Sequence, residues 1–143
     1  MQEKRTVLIA EDEPDNREVM RTVVEDIGGY RVLLAEDGEQ AVQLIETAFP
    51  DLVLVDLLLP RLTGFDVMCR LRANPRTARI PVIAITALGR DQDKQEALAA
   101  GAVDLIEKPF DVDGLLQRIR AAMPRTDQGF GSREGPPARG GCA

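Results

Sequence analysis

Short apolar runs and longer amphipathic segments alternate along most of the chain. Apolar and β-branched residues dominate five of these runs, at residues 6–10, 31–35, 52–55, 82–86 and 103–107. In the runs VLIA and LVLV every position is apolar, which is typical of strands covered on both faces of a sheet. The pattern therefore predicts five short strands, and at least two of them are expected to be fully buried.

The segment after the first strand has the spacing of a helix with one apolar face. This predicted stripe ends at Gly28-Gly29, a typical helix C-terminus. Its members are Val19, Met20, Val23, Val24 and Ile27. We expect all five to pack against the sheet.

Four further helices are predicted from their capping residues and periodicity. Asp37 with Gln40 resembles a capping box at the start of the second helix. The third helix follows Thr63, the fourth covers about 91–100, and the last begins after Asp111.

Five strands that alternate with five helices predict a doubly wound α/β fold with a parallel sheet. The pattern alone does not give the strand order. In the common five-stranded order, 2-1-3-4-5, the direction of winding reverses between strands 1 and 3. Ligands bind at the carboxyl ends of those two strands. Polar residues that directly follow them are therefore the first candidates for a functional site.

The composition changes sharply after Met123. Residues 124–143 are rich in Gly and Pro and lack apolar periodicity, so we expect a disordered tail behind one folded domain, residues 1–123. The tail holds three arginines and two acids, so the chain's net charge of −6 leaves −7 on the domain. Such an acidic domain argues against direct nucleic-acid binding.

The residue types that are missing exclude several kinds of function. The chain has no histidine, which rules out a Ser-His-Asp triad, a histidine-based zinc site and a phosphohistidine carrier. No apolar run approaches the roughly 20 residues of a membrane span. The N-terminal sequence MQEKRTVLIA lacks the pattern of a signal peptide. We therefore expect a cytoplasmic protein that does not insert into membranes.

Polar side chains follow the predicted strands at their carboxyl ends. Glu11 and Asp12 follow the first strand, Asp56 the third, Thr86 ends the fourth, and Lys108 follows the fifth. In the assumed strand order the three carboxylates converge, and a divalent cation such as Mg²⁺ would offset their mutual repulsion. A carboxylate beside Mg²⁺, a lysine and a hydroxyl suits phosphoryl transfer through an aspartyl phosphate.

Four segments carry a resemblance to a known family. The segments VLIAEDEP, DLVLVDLLLPRLTG, PVIAITA and LIEKPF resemble the receiver domain of two-component response regulators, over about residues 5–122. The resemblance implies a flavodoxin-like fold with strand order 2-1-3-4-5. It also implies that Asp56 accepts a phosphoryl group from a histidine kinase or a histidine phosphotransfer protein.

The resemblance assigns the metal site to residues around Asp56. Glu11 and Asp12 resemble the acidic pair that binds Mg²⁺, with Asp12 as a direct ligand and Glu11 acting partly through water. Leu58 would contribute its backbone carbonyl. Mn²⁺ is an alternative ion for the same site.

The remaining site residues follow from the fourth and fifth strands. Thr86 resembles the switch hydroxyl of the family and Lys108 its lysine. The bond between Lys108 and Pro109 is expected to be cis. Many receivers carry an aromatic residue where this chain has Leu105. We therefore expect signalling to rely on Thr86 and on repacking around the fourth helix, fifth strand and fifth helix.

Two leucines depart from the polar residues that many receivers have near the acceptor. Leu58 lies two residues after Asp56, and Leu88 lies two residues after Thr86. Leucine cannot orient an attacking water. We therefore predict an aspartyl phosphate that is hydrolysed slowly.

The resemblance implies a stand-alone response regulator, a signalling domain rather than an enzyme. Its downstream protein partner would bind the face made by the fourth helix, fifth strand and fifth helix. A phosphorelay intermediate that passes the phosphoryl group on is an alternative. An Mg²⁺-dependent phosphatase of the haloacid-dehalogenase type is another, but that class expects a second Asp where this chain has Leu58.

Overall fold

The computed structural model describes residues 4–87 and 89–123, so Leu88 and the predicted tail at 124–143 lie outside the described residues. Five parallel strands pair in the order β2-β1-β3-β4-β5, which confirms the predicted flavodoxin-like topology. The strands are β1 (Thr6–Ala10), β2 (Arg31–Ala35), β3 (Leu52–Asp56), β4 (Val82–Thr86) and β5 (Asp104–Glu107). The α-helices are α1 (Pro14–Arg21), α2 (Gly38–Ala48), α3 (Gly64–Ala73), α4 (Asp91–Ala99) and α5 (Val112–Ala122).

Helices cover both faces of the sheet, as the all-apolar strands predicted. Alternate residues of a strand point to opposite faces, and β3 accordingly divides its side chains between two apolar clusters. Val53 and Val55 pack with residues of α2, α3 and α4. Leu52 and Leu54 pack with residues of α1 and α5. All five residues of β3 and of β4 are buried, which places these strands at the centre of the fold.

The first helix differs from its prediction. α1 ends at Arg21 and continues as a π-helical segment, Thr22–Ile27, in which the Gly28 N–H donates to the Val23 carbonyl at 2.9 Å. A π-turn holds more residues than an α-turn, so a row of residues four apart does not stay on one face. Three members of the predicted stripe are buried, whereas Val19 and Ile27 are 55% and 58% exposed.

Side-chain caps fix the starts of α2, α3 and α5 near the carboxyl edge of the sheet. Asp37 accepts a hydrogen bond from the Gln40 N–H at 2.8 Å, as the predicted capping box requires. The Gln40 side chain, however, accepts from the Glu36 N–H, one residue before the cap. Thr63 and Asp66 form a complete capping box at the start of α3. Among the described residues, the helices are all too short or too polar to cross a bilayer.

Candidate functional site

The predicted acceptor, Asp56, lies at the carboxyl edge of the sheet beside the reversal of winding between β1 and β3. It is the last residue of β3, aligned with Ile85 of β4, rather than the first residue past the strand. Only 6% of Asp56 is exposed. The predicted strand, residues 52–55, placed Asp56 just past its end, which was wrong because the sheet pairing extends one residue further and buries the acceptor.

Two hydrogen bonds stabilise the buried carboxylate of Asp56. Lys108 Nζ donates to Oδ2 at 2.6 Å, and the Leu58 N–H donates to Oδ1 at 2.9 Å. A buried carboxylate is costly unless it is paired and hydrogen-bonded. Here both oxygens have a donor, and the ammonium supplies the opposite charge.

Lys108 also contacts the first acidic residue after β1. Its Nζ lies 3.1 Å from Glu11 Oε1, while Glu11 Oε2 accepts from the Glu13 N–H at 3.2 Å. Glu11 is 1% exposed, and 21% of the Lys108 side chain is exposed. One ammonium group therefore links carboxylates that the chain delivers from two different strands.

The pKa values of Glu11 and Lys108 are both raised, but for different reasons. Burial raises the pKa of Glu11, the negative charge of Asp56 raises it further, and the contact with Lys108 offsets part of the rise. Burial would lower the pKa of Lys108, but the two carboxylates outweigh it and the pKa is raised. Lys108 therefore stays charged where it meets Asp56.

The structure brings the three predicted carboxylate ligands together. Oxygen atoms of Glu11, Asp12 and Asp56 lie within 4.8 Å of one another. Asp12 is exposed, whereas the other two are buried. Hard oxygen donors at this spacing suit Mg²⁺, which binds through one or two carboxylates and keeps several waters. The donor set therefore fits the ion that the sequence predicted.

Thr86 and Lys108 are positioned by pairing between β4 and β5. Thr86 ends β4 with 1% exposure, and its carbonyl accepts from the Lys108 N–H at 2.8 Å. The Lys108–Pro109 peptide bond is cis, as expected. The start of α3 lies against the acceptor, because a Cβ on Gly64 would come 2.6 Å from the Asp56 carbonyl oxygen.

Comparison with known families identifies this arrangement. A family model described as the response regulator receiver domain matches residues 7–120. The chain belongs to the response regulator receiver domain family. It is a signalling domain of a two-component system rather than a catalyst.

Several curated relatives of this receiver domain are transcriptional regulators. It is 43% identical over 122 residues to the DNA-binding dual master transcriptional regulator RpaA of Synechocystis sp., covering 85% of this chain and 50% of that protein. It is 39% identical to the phosphate regulon transcriptional regulatory protein PhoB of Pseudomonas aeruginosa, and the match covers 96% of this chain and 58% of that protein. The chain thus spans about half the length of these relatives.

Solved receiver structures have the same fold. The receiver domain of sensor histidine kinase PA1611 from Pseudomonas aeruginosa PAO1 is 34% identical, with a TM-score of 0.78 over 84% of this chain and 98% of that one. That crystal structure has a magnesium ion coordinated in its active site cleft. Chemotaxis protein CheY4 of Vibrio cholerae is 27% identical, with a TM-score of 0.80 over 85% of this chain and 100% of that one.

One residue beside the carboxylates, Arg17, was not predicted from the sequence. The Arg17 guanidinium donates to the carbonyls of Glu11 at 2.9 Å and Asp12 at 3.4 Å. A side chain that reaches back to backbone carbonyls leaves no charge pattern along the sequence. The nearest signal is an arginine one turn into the helix that follows an acidic pair.

Proposed function

We propose that this receiver accepts a phosphoryl group on Asp56, in the cytoplasm, from a histidine kinase or a histidine phosphotransfer protein. The contact that best supports the proposal is the 2.6 Å hydrogen bond from Lys108 to the buried Asp56 carboxylate, next to the Glu11 and Asp12 carboxylates. A lone acid would be poorly placed for this chemistry. An acid with a fixed cation and two further carboxylates is suited to it.

The proposed step transfers one phosphoryl group from nitrogen to oxygen. An Asp56 carboxylate oxygen attacks the phosphorus, and the phosphorus–nitrogen bond of the donor phosphohistidine breaks. The donor nitrogen keeps the electron pair of that bond. Lys108, already within 2.6 Å of Asp56 Oδ2, stabilises the negative charge that the phosphoryl oxygens bring. The Thr86 hydroxyl, at the end of the neighbouring strand, donates to a phosphoryl oxygen.

Glu11, Asp12 and Asp56 would hold Mg²⁺, with Mn²⁺ as an alternative, and the Leu58 carbonyl would complete the protein ligands. When bound, the ion would neutralise charge on the transferring group. The magnesium ion in the cleft of the PA1611 receiver supports this assignment. Burial holds Glu11 in place, and its exposed neighbour Asp12 remains accessible to an incoming ion.

The phosphorylated receiver would bias a two-state surface that a partner protein reads. The face made by α4, β5 and α5 is the proposed contact. Leu98 of α4 and Val103, one residue before β5, are apolar side chains that are 44% and 52% exposed. On the same face Arg118 pairs with Asp104 at 2.9 Å. The net charge of −7 on residues 1–123 favours a protein over a nucleic acid as the direct partner of this domain.

Incubation with Mg²⁺ and acetyl phosphate, followed by intact mass measurement, tests the proposal. We expect wild type to gain the mass of one phosphoryl group and Asp56→Asn to gain none. The control is Asp113→Asn, which changes an exposed acid in the first turn of α5. Asp51→Asn would be a poorer control, because the Asp51 carboxylate accepts a hydrogen bond from the Thr6 N–H. An unmodified wild type, or an Asp56→Asn variant that is modified equally, would contradict the proposal.

A further inference from the structure

Arg17 binds the backbone of the acidic loop at three successive residues. Its guanidinium donates to the carbonyls of Glu11 at 2.9 Å and Asp12 at 3.4 Å. Its own backbone N–H donates to the carbonyl of Glu13 at 2.9 Å. The peptide groups that carry the two metal-binding acids are therefore tied to a single residue of α1.

The guanidinium lies in a covered position between two loops. Only 17% of the Arg17 side chain is exposed, and its Nη2 lies 3.8 Å from Glu36 Oε2 after β2. The Glu11 N–H donates to the Ala35 carbonyl at 3.1 Å. The Glu11 residue is thus held at its amide by β2 and at its carbonyl by Arg17, which leaves little freedom in its backbone.

We propose that Arg17 is a positioning residue that orients the acidic pair for the divalent cation. The inference rests on the proposed function, because it concerns the same metal site. Asp12 is exposed, so its carboxylate direction depends mainly on how its backbone is fixed. One guanidinium nitrogen, Nη1, donates to both carbonyls, while Nη2 faces Glu36. A planar guanidinium can hold these two directions at once, which a single ammonium group cannot do equally well.

Charge and geometry predict opposite effects of removing Arg17. A positive group near a cation site repels the ion, so charge alone predicts that Arg17→Met binds Mg²⁺ more tightly than wild type. Loss of positioning predicts weaker binding, since partners that orient metal ligands typically contribute about 10–100-fold in affinity. The direction of the change therefore separates a positioning role from a purely electrostatic one.

The test is calorimetric titration of Mg²⁺ into the full chain. We expect Arg17→Met to bind about tenfold more weakly than wild type, and Arg17→Lys to lie between them. Arg21→Met is the matched control, because Arg21 lies one turn along the same helix and pairs with Glu18 and Glu25 instead. Its affinity should stay close to that of wild type.

Phosphorylation by acetyl phosphate gives a second readout. Arg17→Met should need more Mg²⁺ for half-maximal rate, while saturating Mg²⁺ should restore the wild-type maximum. Thermal unfolding without Mg²⁺ shows whether the variant folds. If it does not, Arg17→Lys, which keeps the charge, decides the question by its affinity alone.

The outcomes distinguish this inference from the proposed function. If wild type binds Mg²⁺ and both Arg17→Met and Arg17→Lys bind it equally or more tightly, the positioning role alone is overturned. Wild type that neither binds Mg²⁺ nor becomes phosphorylated would overturn both. A weakened Arg17→Met with an equally weakened Arg21→Met would assign the effect to the helix as a whole and also refute the inference.

Discussion

Leu58 is an exposed apolar side chain beside a buried acceptor. Its N–H donates to Asp56 Oδ1, while the residue is 63% exposed. Hydrolysis of an aspartyl phosphate needs a water aligned with the phosphorus, and polar side chains can align that water whereas leucine cannot. At the scale of single residues, we therefore expect the lifetime of the proposed aspartyl phosphate to depend on a side chain that takes no part in the transfer.

The first prediction concerns the lifetime of the phosphorylated receiver. We expect the double variant Leu58→Asn, Leu88→Glu to lose phosphate several-fold faster than wild type, because both replacements can hydrogen-bond a water. The decay is measured by intact mass after removal of acetyl phosphate. Leu98→Asn, an exposed leucine on α4, is the control and should decay like wild type. Equal decay of all three proteins would show that water positioning does not limit the rate.

The sequence predicted which side chains form the site, but it did not predict the backbone contacts around them. The carboxyl ends of parallel strands share one edge of the sheet. The sequence therefore predicted that four side chains lie close together: Glu11, Asp12, Asp56 and Lys108. The burial of Asp56 was missed, since pairing with Ile85 is a property of the sheet rather than of the local pattern. Arg17 was missed because its partners are carbonyls.

At the scale of elements, one half-buried arginine ties α3 to the turn that follows α4. The Arg72 guanidinium donates to the carbonyls of Ala78, Ile80 and Gly101 at 2.7, 3.0 and 2.6 Å. Burial lowers its pKa. Gly101 has φ of 115°, and a Cβ there would lie 2.5 Å from Arg72 Nε.

Substitution of Gly101 should therefore destabilise the fold for two separate reasons. Backbone in this region costs a residue with a Cβ about 1–3 kcal/mol, and the contact with Arg72 adds to it. Gly29→Ala is the matched control, because Gly29 has φ of 80° with nothing within 4 Å of its Cβ position. In urea unfolding we expect Gly101→Ala to have the lower midpoint. Equal midpoints would indicate that Arg72 moves aside without cost.

The elements themselves followed the sequence closely, with one exception. Strand ends agreed within one residue because apolar runs mark buried strands, and caps such as Thr63 have a local chemical cause. The π-helical segment Thr22–Ile27 was not predicted. Its apolar residues fit α-helical spacing, and only packing against the sheet shows that Val19 and Ile27 are turned outward.

At the scale of the whole molecule, the carboxylate cluster would couple the proposed metal binding to stability. Three acids near one another repel, and a ligand that binds the folded state alone stabilises it by mass action. At ten times its Kd, Mg²⁺ should add about 1.4 kcal/mol to the free energy of unfolding. That corresponds to a rise of a few degrees in Tm.

Thermal unfolding with and without Mg²⁺ measures this stabilisation. Asp12→Asn should lose most of this stabilisation, because Asp12 is the proposed direct ligand of the ion. Asp12 is exposed, so its replacement leaves the buried pair, Glu11 and Asp56, intact. Glu46→Gln removes the same charge from an exposed position on α2 and should respond to Mg²⁺ as wild type does. An equal Mg²⁺ response in all three proteins would mean that the ion acts elsewhere.

The burial of Asp56 also limits which donors can reach it. The acceptor is 6% exposed, and it belongs to a strand that is paired on both sides, so it cannot move outward to meet a partner. In the proposed function, a phosphodonor would therefore have to protrude beyond its own surface to reach Asp56. Small donors satisfy this requirement by size, and a protein donor satisfies it only with the phosphorylated side chain on a convex element. The choice of donor would then depend on shape before any specific contact forms.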